Sequence, residues 1–422
     1  MRRLLYVAHR IPYPPDKGER LRAHHELIAL SRAFGITLVA PAQAPEDLDA
    51  AESLGTWCRK VIVAPRAGGA AGKLRAGLSM IRGRSATEGF FAAGALGRLL
   101  ADLSASEPFD VAFSYCTGVW PACRKAAARA RVIDFVDADS RKWLDYAGES
   151  RWPMSAIYRA EARAVARLER DALQSCDAAF ITSRAEANLL PDPARATPVA
   201  VGVDSEYFRP GAGGEHTSSN RPAGPSLVFT GWMSYRPNAD GVCWFAREVL
   251  PALRRRLGEV TFTVVGADPA PRVAALARQP GIAVTGRVPD VRPFIDAADV
   301  AVVPLQIARG VQNKVLEAMA MAKPVVGSSG TMTGLDVEAG RDVLRADSPG
   351  EWVEAIGSLV GADGRTDLGE RLGRQARRCA VERFNWDAVL RPMVETCVRL
   401  ADGEDGPAAP HNAPASAKEA HP

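Results

Sequence analysis

Residues 304–327 read PLQIARGVQNKVLEAMAMAKPVVG, and the order of residue types in them decides the fold class. Just before them, Val300 to Pro304 is apolar without alternation, as in a parallel strand covered on both faces. Leu316, Met319 and Ala320 then recur at helical spacing, which predicts a helix over 311–322 with one face in a core. A further apolar run follows at 324–327. Strand, helix and strand in this order belong to an α/β sheet.

The same alternation runs through most of the chain. Strands are predicted at 4–8, 36–40, 60–64, 110–115, 132–137, 178–182 and 198–203, with helical patterns between them, for instance over 20–34 and 155–175. A second series places strands at 227–231, 260–265, 282–285, 300–304, 324–327 and 343–345. Its helices fall at 239–257, 272–278, 311–322, 350–359 and 365–383. This predicts two doubly wound, Rossmann-like α/β units. Residues 211–225, GAGGEHTSSNRPAGP, have linker composition. The expected organisation is a first unit over 1–205 and a second over 206–385. A terminal helix over 386–400 is expected to pack back toward the first unit, and the tail over 401–422 is too polar to order itself. Two such units are expected to face each other across a cleft, since open α/β sheets bind ligands beyond the carboxyl ends of their strands.

The chain has 422 residues, 47% hydrophobic and 24% charged, which suits two or three packed domains and excludes a disordered protein. No run approaches the ~18 apolar residues of a membrane-spanning helix. The short apolar run after Arg2-Arg3 suits a first strand better than a signal peptide. The net charge of +4 is spread along the chain, and only eight of the 53 basic residues are lysine. Such a mild, dispersed excess excludes a dedicated nucleic-acid binder and fits an anionic substrate or weak attraction to an anionic membrane. The seven cysteines include no C-x-x-C pair, which argues against zinc or a disulfide framework. Buried, inert thiols in a reducing cytoplasm are expected instead.

The loop before the 311–322 helix carries Arg309 and Gly310. The first-turn amides of Val311, Gln312 and Asn313 would lack intrahelical partners, which suits a diphosphate at a helix N-terminus. Gly310 would let the backbone approach that ligand. Lys314 and Glu317 share a face, so the ammonium suits phosphate and the carboxylate suits the hydroxyls of a ribose. Taken alone, the same pair equally fits a surface ion pair worth about 0.2–0.5 kcal/mol.

With its neighbours this stretch resembles the donor-site helix of the family-4 (group 1) glycosyltransferases of GT-B fold. The resemblance spans nearly the whole chain and includes GWMSYRPNADGVCWF (231–245), VVG (264–266), TGRVPDVRPFIDAADVAVVPL (285–305) and FNWD (384–387). In finer detail HRIPYPPDKGERLR (9–22), FVDADSRKW (135–143) and GVQNKVLEAMA (310–320) are similar to sugar transferases of bacterial exopolysaccharide and PEP-CTERM exosortase loci. The resemblance implies a nucleotide-diphosphate sugar held mainly by the second unit and a glycan or lipid-linked acceptor near the first. It also implies retention at the anomeric carbon with no metal and no cofactor. Glu317 would bind the ribose, the backbone of Arg287 and Val288 the nucleobase, and 310–314 the diphosphate. The sequence departs from the family at three places. Arg309 stands where a first glutamate is usual, and Trp232 where a basic residue is frequent, so that Arg236 or Lys314 would supply the charge. Val201-Gly202-Val203-Asp204 replaces an Asn-Gly-Val-Asp.

In the first half, the loop at 12–18 ends in Lys17-Gly18 before a helix start with Arg20 and Arg22. The resemblance brings this loop to the donor phosphates, with Gly18 permitting the approach; an ordinary turn with a solvated basic end fits equally. Asp137-Ala138-Asp139 spells D-x-D, a triplet too short to imply a metal site. Asp137 is the candidate base or acceptor-orienting carboxylate, while Asp139 also fits a helix cap before Ser140. His9 and His24 are expected at the same edge. Glu161 and Glu169 share a helix with many arginines, where surface pairing is the default. Residues 72–84, GKLRAGLSMIRGR, set Leu74, Leu78 and Ile81 on one face among basic residues. That pattern fits peripheral contact with the inner face of the cytoplasmic membrane, although three glycines fit a loop equally well.

The leading expectation is a glycosyltransferase of cell-surface glycan or exopolysaccharide synthesis. A nucleotide-sugar epimerase on the same architecture and a degenerate nucleotide-binding subunit are the alternatives. A dehydrogenase is disfavoured because no G-x-G-x-x-G follows a strand.

Overall fold

The apolar runs at the start of the chain are buried on both faces because helices cover both sides of the sheet they build. The structure, a computed structural model, describes residues 1–15, 18–42, 46–64, 69–91, 93–106, 108–212, 224–306, 311–361 and 364–404. Two compact units divide it. One comprises Met1–Val199 together with the chain from Arg391 onward, and the other Ala200–Leu390.

The first unit holds β1 (Arg2–Ala8), β2 (Phe34–Pro41), β3 (Lys60–Ala64), β4 (Phe109–Tyr115), β5 (Ala128–Asp134), β6 (Ala178–Ile181) and β7 (Ala196–Pro198). They form one parallel sheet in the order β3-β2-β1-β4-β5-β6-β7. Its named helices are α1 (Gly18–Ser31), α2 (Gly69–Ile81), α3 (Ala86–Phe90), α4 (Asp139–Glu149) and α5 (Met154–Ser175). One apolar cluster gathers Leu5, Val39, Leu100 and Ala112, and another Ile133, Phe135, Leu173 and Ile181.

The second unit repeats the plan with β8 (Ser226–Thr230), β9 (Thr261–Val265), β10 (Ile282–Val284), β11 (Val300–Val303), β12 (Val325–Gly327) and β13 (Leu344–Arg345). Their order is β10-β9-β8-β11-β12-β13, all parallel. The helices that matter below are α6 (Arg236–Trp244), α7 (Asn313–Ala320), α8 (Pro349–Leu359), α9 (Asp367–Arg383) and α10 (Trp386–Asp402). Phe229, Phe245, Phe262 and Trp352 anchor its core. Ser348 and Glu351 form a reciprocal capping box that starts α8.

In both sheets the strand order reverses once, beside β1 and β4 in the first and beside β8 and β11 in the second. These are the switch points where doubly wound sheets receive ligands.

Several boundaries differ from the sequence expectation. The units part after Val199 rather than after Ser205, because the Val203 amide donates to the Phe384 carbonyl (2.7 Å) and Val203 bridges Asn385 within the second unit. The predicted strand 198–203 is therefore β7, displaced to Ala196–Pro198. Most of the glycine-rich stretch, 213–223, lies outside the described residues. Strand β5 stops at Asp134, since Val136 takes a left-handed φ of 66°. The expected helix 239–257 passes through a π-helical segment at Phe245–Val249, next to Pro251, which has no N–H to give an α-helical bond. From Arg391 the chain packs with the first unit, where the Arg2 guanidinium grips Asp402 at 2.8 and 2.7 Å. Residues 405–422 lie outside the described residues.

Candidate functional site

In the second unit the carboxyl ends of β8, β9 and β10 run into glycines. Gly231 and Gly266 adopt φ 153° and 151°, and a methyl group on Gly266 would run into the Gly231 carbonyl. Backbone is thereby packed against backbone at the sheet's ligand edge. After Gly231 the chain turns through Trp232 into α6, and the turn is fixed by Asn238. That buried amide donates to the Trp232 carbonyl at 2.8 Å.

The other lobe of Asn238 faces Lys314. Its Oδ1 accepts from the Lys314 ammonium at 3.0 Å, and the Gln312 side-chain oxygen lies 3.5 Å away. The ammonium also stands over the Phe229 ring, 5.1 Å from its centre. Burial in this setting pulls the lysine down to about 8, opposed by the charge of Glu317. Burial pushes Glu317 up to about 7, opposed by Lys314. No hydrogen bond to the Glu317 carboxylate forms among the described residues, and the two groups are too far apart for an ion pair. The surface-pair reading of 314 and 317 is thus set aside: the lysine belongs to Asn238, and the carboxylate keeps its acceptors for a ligand.

Helix α7 starts at Asn313, two residues later than expected. Gln312 occupies its N-cap position, but the side chain makes no cap hydrogen bond. Among the described residues no side chain caps the first-turn amides. Val311 and Val288 pack against the second unit's core. Arg309 and Gly310 lie outside the described residues. Arg236 points into solvent, 82% exposed, and pairs with Asp240 one turn on at 3.4 Å. Arg287 stacks its guanidinium over Trp232 at 5.1 Å, so the residue replacing the family's basic position holds a cation after all.

In the first unit the switch point opens into a cavity of about 450 Å³. His9 and Arg10 follow β1, Tyr115 ends β4 with Cys116 and Gly118 after it, and Phe135, Val136 and Asp137 follow β5. Ala76 of α2, Phe90 and Phe91, and Lys142 and Trp143 of α4 complete the wall. Cys116 and Val136 are both left-handed, at φ 78° and 66°. A β-branched residue held so is strained by about 1–3 kcal/mol. The strain is held by Asp134, whose carboxylate accepts the Val136 amide at 3.1 Å, and by Thr182, which donates to the Val136 carbonyl at 2.7 Å. Asp134 in turn is fixed by Arg22 at 2.6 Å.

Arg22 is thus no solvated helix start. It is fully buried, 3.0 Å from Glu26 and donating at 3.0 Å to the Val199 carbonyl, while Tyr6 donates to Glu26 at 2.7 Å. Burial with Asp134 nearby drives the Glu26 carboxyl well above the usual range. Asp134 stays below it: burial, the largest influence, raises it, and the Arg22 charge together with the hydrogen bonds that the Asp134 carboxylate accepts more than offsets that. The arginine and the two acids form one buried, mutually compensating network.

Asp137, aimed by this turn, lines the cavity with no hydrogen bond to its carboxylate among the described residues. Burial, reinforced by Glu186 and Asp139, raises it to about 6. Asp139 is the first residue of α4 and does not cap it, against the alternative expectation. The cap comes from Glu169, which accepts the Ser140 amide at 2.9 Å and its hydroxyl at 2.5 Å. Glu161 likewise accepts the Ala86 and Thr87 amides of α3 at 2.6 and 3.0 Å. Both glutamates are buried, which corrects the surface-pairing expectation. His9 stacks on Tyr115 at the cavity, whereas His24 sits under Trp57 and lines no part of it. Gly18 begins α1 with open space around it, and Lys17 is outside the described residues. Cys116 departs from the expectation of buried thiols, since it faces the cavity.

Sequence reasoning missed Asn238, Arg22, Asp134 and the capping glutamates. Among the described residues no cluster of three or more His, Cys, Asp or Glu is arranged to hold a metal ion, and no helix is long and apolar enough to cross a membrane.

Two Rossmann-like units with the same strand order, one presenting an open helix end and a cation at its switch point, define the GT-B class of fold. Residues 224–362 match the family described as "Glycosyl transferases group 1". The chain is 29% identical over 227 residues to D-inositol 3-phosphate glycosyltransferase 2 of Catenulispora acidiphila, a match that covers 49% of this chain and 51% of that protein. The match thus spans about half the length of that relative. Among solved structures, sucrose-phosphate synthase from Thermosynechococcus elongatus superposes with a TM-score of 0.69 at 17% identity, covering 95% of this chain and 100% of the other. HepE of Anabaena, solved with UDP and glucose, superposes at 0.62 with 14% identity, covering 94% and 99%. These likenesses establish the fold, and the family match falls within the second unit.

Proposed function

We propose that the protein is a glycosyltransferase that moves a sugar from a nucleotide-diphosphate sugar to a glycan or lipid-linked acceptor, retaining the anomeric configuration and using no metal. The observation that carries the reading is Lys314, held by Asn238 beside the uncapped end of α7 with the Glu317 carboxylate one turn on. The group 1 match over 224–362 and the UDP and glucose bound by HepE support the same donor chemistry.

In this reading the amides of Asn313 and Lys314 and the lysine ammonium receive the diphosphate. Glu317 accepts the ribose hydroxyls, and the backbone near Arg287 and Val288 meets the base. As the bond from the anomeric carbon to the diphosphate oxygen breaks, negative charge grows where these donors already point. Lys314 thereby supplies the charge stabilisation that a divalent ion would otherwise give. The acceptor hydroxyl is oriented, or deprotonated, by Asp137 in the first unit's cavity. The proposed setting is exopolysaccharide or other cell-surface glycan synthesis at the inner face of the cytoplasmic membrane.

A thermal-shift screen against UDP, GDP and their sugars tests the donor. A ligand bound only by the folded state raises the melting temperature, by about 2.7 kcal/mol of stabilisation at a hundred times its Kd. The proposal expects such a rise in the wild type and its loss in Lys314→Ala. No rise with any nucleotide would contradict it.

A further inference from the structure

Helix α2 turns its large aliphatic side chains away from the protein. Leu74, Leu78 and Ile81 lie at i, i+4 and i+7 on one face and are 66%, 45% and 84% exposed. The opposite face is built from small residues. Gly72 packs at van der Waals distance from the Phe90 ring. On α3, a Cβ on Gly89 would stand 2.5 Å from the Arg75 carbonyl and 2.6 Å from the Ser79 side chain. The helix forms despite its glycines, and Gly89 of α3 lets the two helices approach too closely for a larger residue at that position. What remains outside is a contiguous apolar strip, the reverse of a helix that buries its leucines.

The exposed charge along the strip has one sign. From Gly69 to Thr87 the chain carries no acidic residue, and Lys73, Arg82 and Arg84 are exposed while the Arg75 guanidinium is buried. Arg84 reaches the next residue, Glu88, only at 3.4 Å and keeps its side chain 68% exposed. A second copy of this face would bring two such basic surfaces together, which Coulomb repulsion opposes. An apolar strip ringed by arginines complements a bilayer with anionic headgroups.

We propose that α2 docks the first unit on an anionic membrane, with Leu74, Leu78 and Ile81 at the acyl boundary and Arg82 and Arg84 on the headgroups. Ala76 of this same helix lines the aromatic cavity that holds Asp137. Docking therefore brings the acceptor cavity to the lipid surface and favours a lipid-linked acceptor over a soluble glycan. This last step rests on the glycosyltransferase reading, and the docking itself does not.

Sedimentation of the full-length protein with vesicles tests it, comparing phosphatidylcholine alone with phosphatidylcholine containing phosphatidylglycerol. The wild type is expected to pellet with the anionic vesicles and to be released by high salt. Arg82→Glu with Arg84→Glu, and separately Leu78→Ser with Ile81→Ser, each lower the bound fraction on the order of tenfold. Melting temperature and the nucleotide-induced thermal shift stay at wild-type values in both. No pelleting, equal pelleting on neutral vesicles, or variants that pellet like the wild type would overturn the docking. So would a dimer in light scattering that Ile81→Ser dissociates. A wild type that pellets but gains no stability from nucleotides would instead fail the donor reading and leave the docking intact.

Discussion

The two units share a strand order and a switch point, yet they treat helix ends in opposite ways. Around the first unit's cavity, the amides that open α3 and α4 are taken by Glu161 and Glu169 from α5. The buried cation behind it, Arg22, is locked by Asp134 and Glu26, and Arg10 and Lys142 stand in the cavity wall beside Asp137. In the second unit α7 has no side-chain cap, and Lys314 is held by a neutral amide, which does not cancel its charge. The helix ends are therefore closed to anions on one side, where Asp137 adds negative charge, and on the other α7 has no side-chain cap among the described residues. What separates the two half-sites is which group satisfies the backbone and the buried cation.

The comparison can be broken from either side. The largest effect is expected for Arg22→Met, which strands Asp134 and Glu26 in the core. It should cost about 3–5 kcal/mol of stability, seen as a lower urea midpoint at an unchanged slope. Lys314→Ala, by contrast, removes a cation whose own burial is unfavourable, so the melting temperature should hold. Turnover should fall at least a hundredfold, since one such donor supplies about 2.7–4 kcal/mol of barrier lowering. An active Lys314→Ala enzyme would remove the phosphate assignment. Glu169→Ala uncovers the Ser140 amide and hydroxyl and should cost about 1–3 kcal/mol, measured by thermal unfolding. A wild-type melting point would mean that the cap is not what holds α4.

The smallest effects are in pH. Donor affinity should rise as Glu317 ionises through about 7 and fall as Lys314 loses its proton through about 8, giving a maximum between them. Glu317→Gln removes the acid limb in a nucleotide titration. Asp137, raised to about 6, is protonated below that value and cannot take a proton there. Turnover at saturating donor should therefore decline below pH 6, and a flat profile in that range would count against its role.

Much of this was legible in the sequence because parallel strands buried on both faces leave unbroken apolar runs. Residues 60–64 and 178–181 needed almost no adjustment. Lys314 and Glu317 were legible because three residues apart on a helix means one face. Asn238 was not, since it meets Lys314 across 76 residues and nothing local marks it as a ligand of an ammonium. Glu161 and Glu169 were not legible for a similar reason. Their arginine neighbours occupy other faces of α5, and the amides they cap belong to distant helices. The glycines of α2 misled because propensity is counted in isolation, while the close approach of Gly89 on α3 to the Arg75 carbonyl and Ser79 of α2 is tertiary.

The central claim is that the diphosphate belongs to the open end of α7. A crystal soaked with UDP or GDP tests it directly. Phosphate oxygens within hydrogen-bond distance of the Asn313 and Lys314 amides and the Lys314 ammonium are the predicted result. A nucleotide seated in the first unit's cavity, or α7 left vacant at saturating ligand, would contradict it.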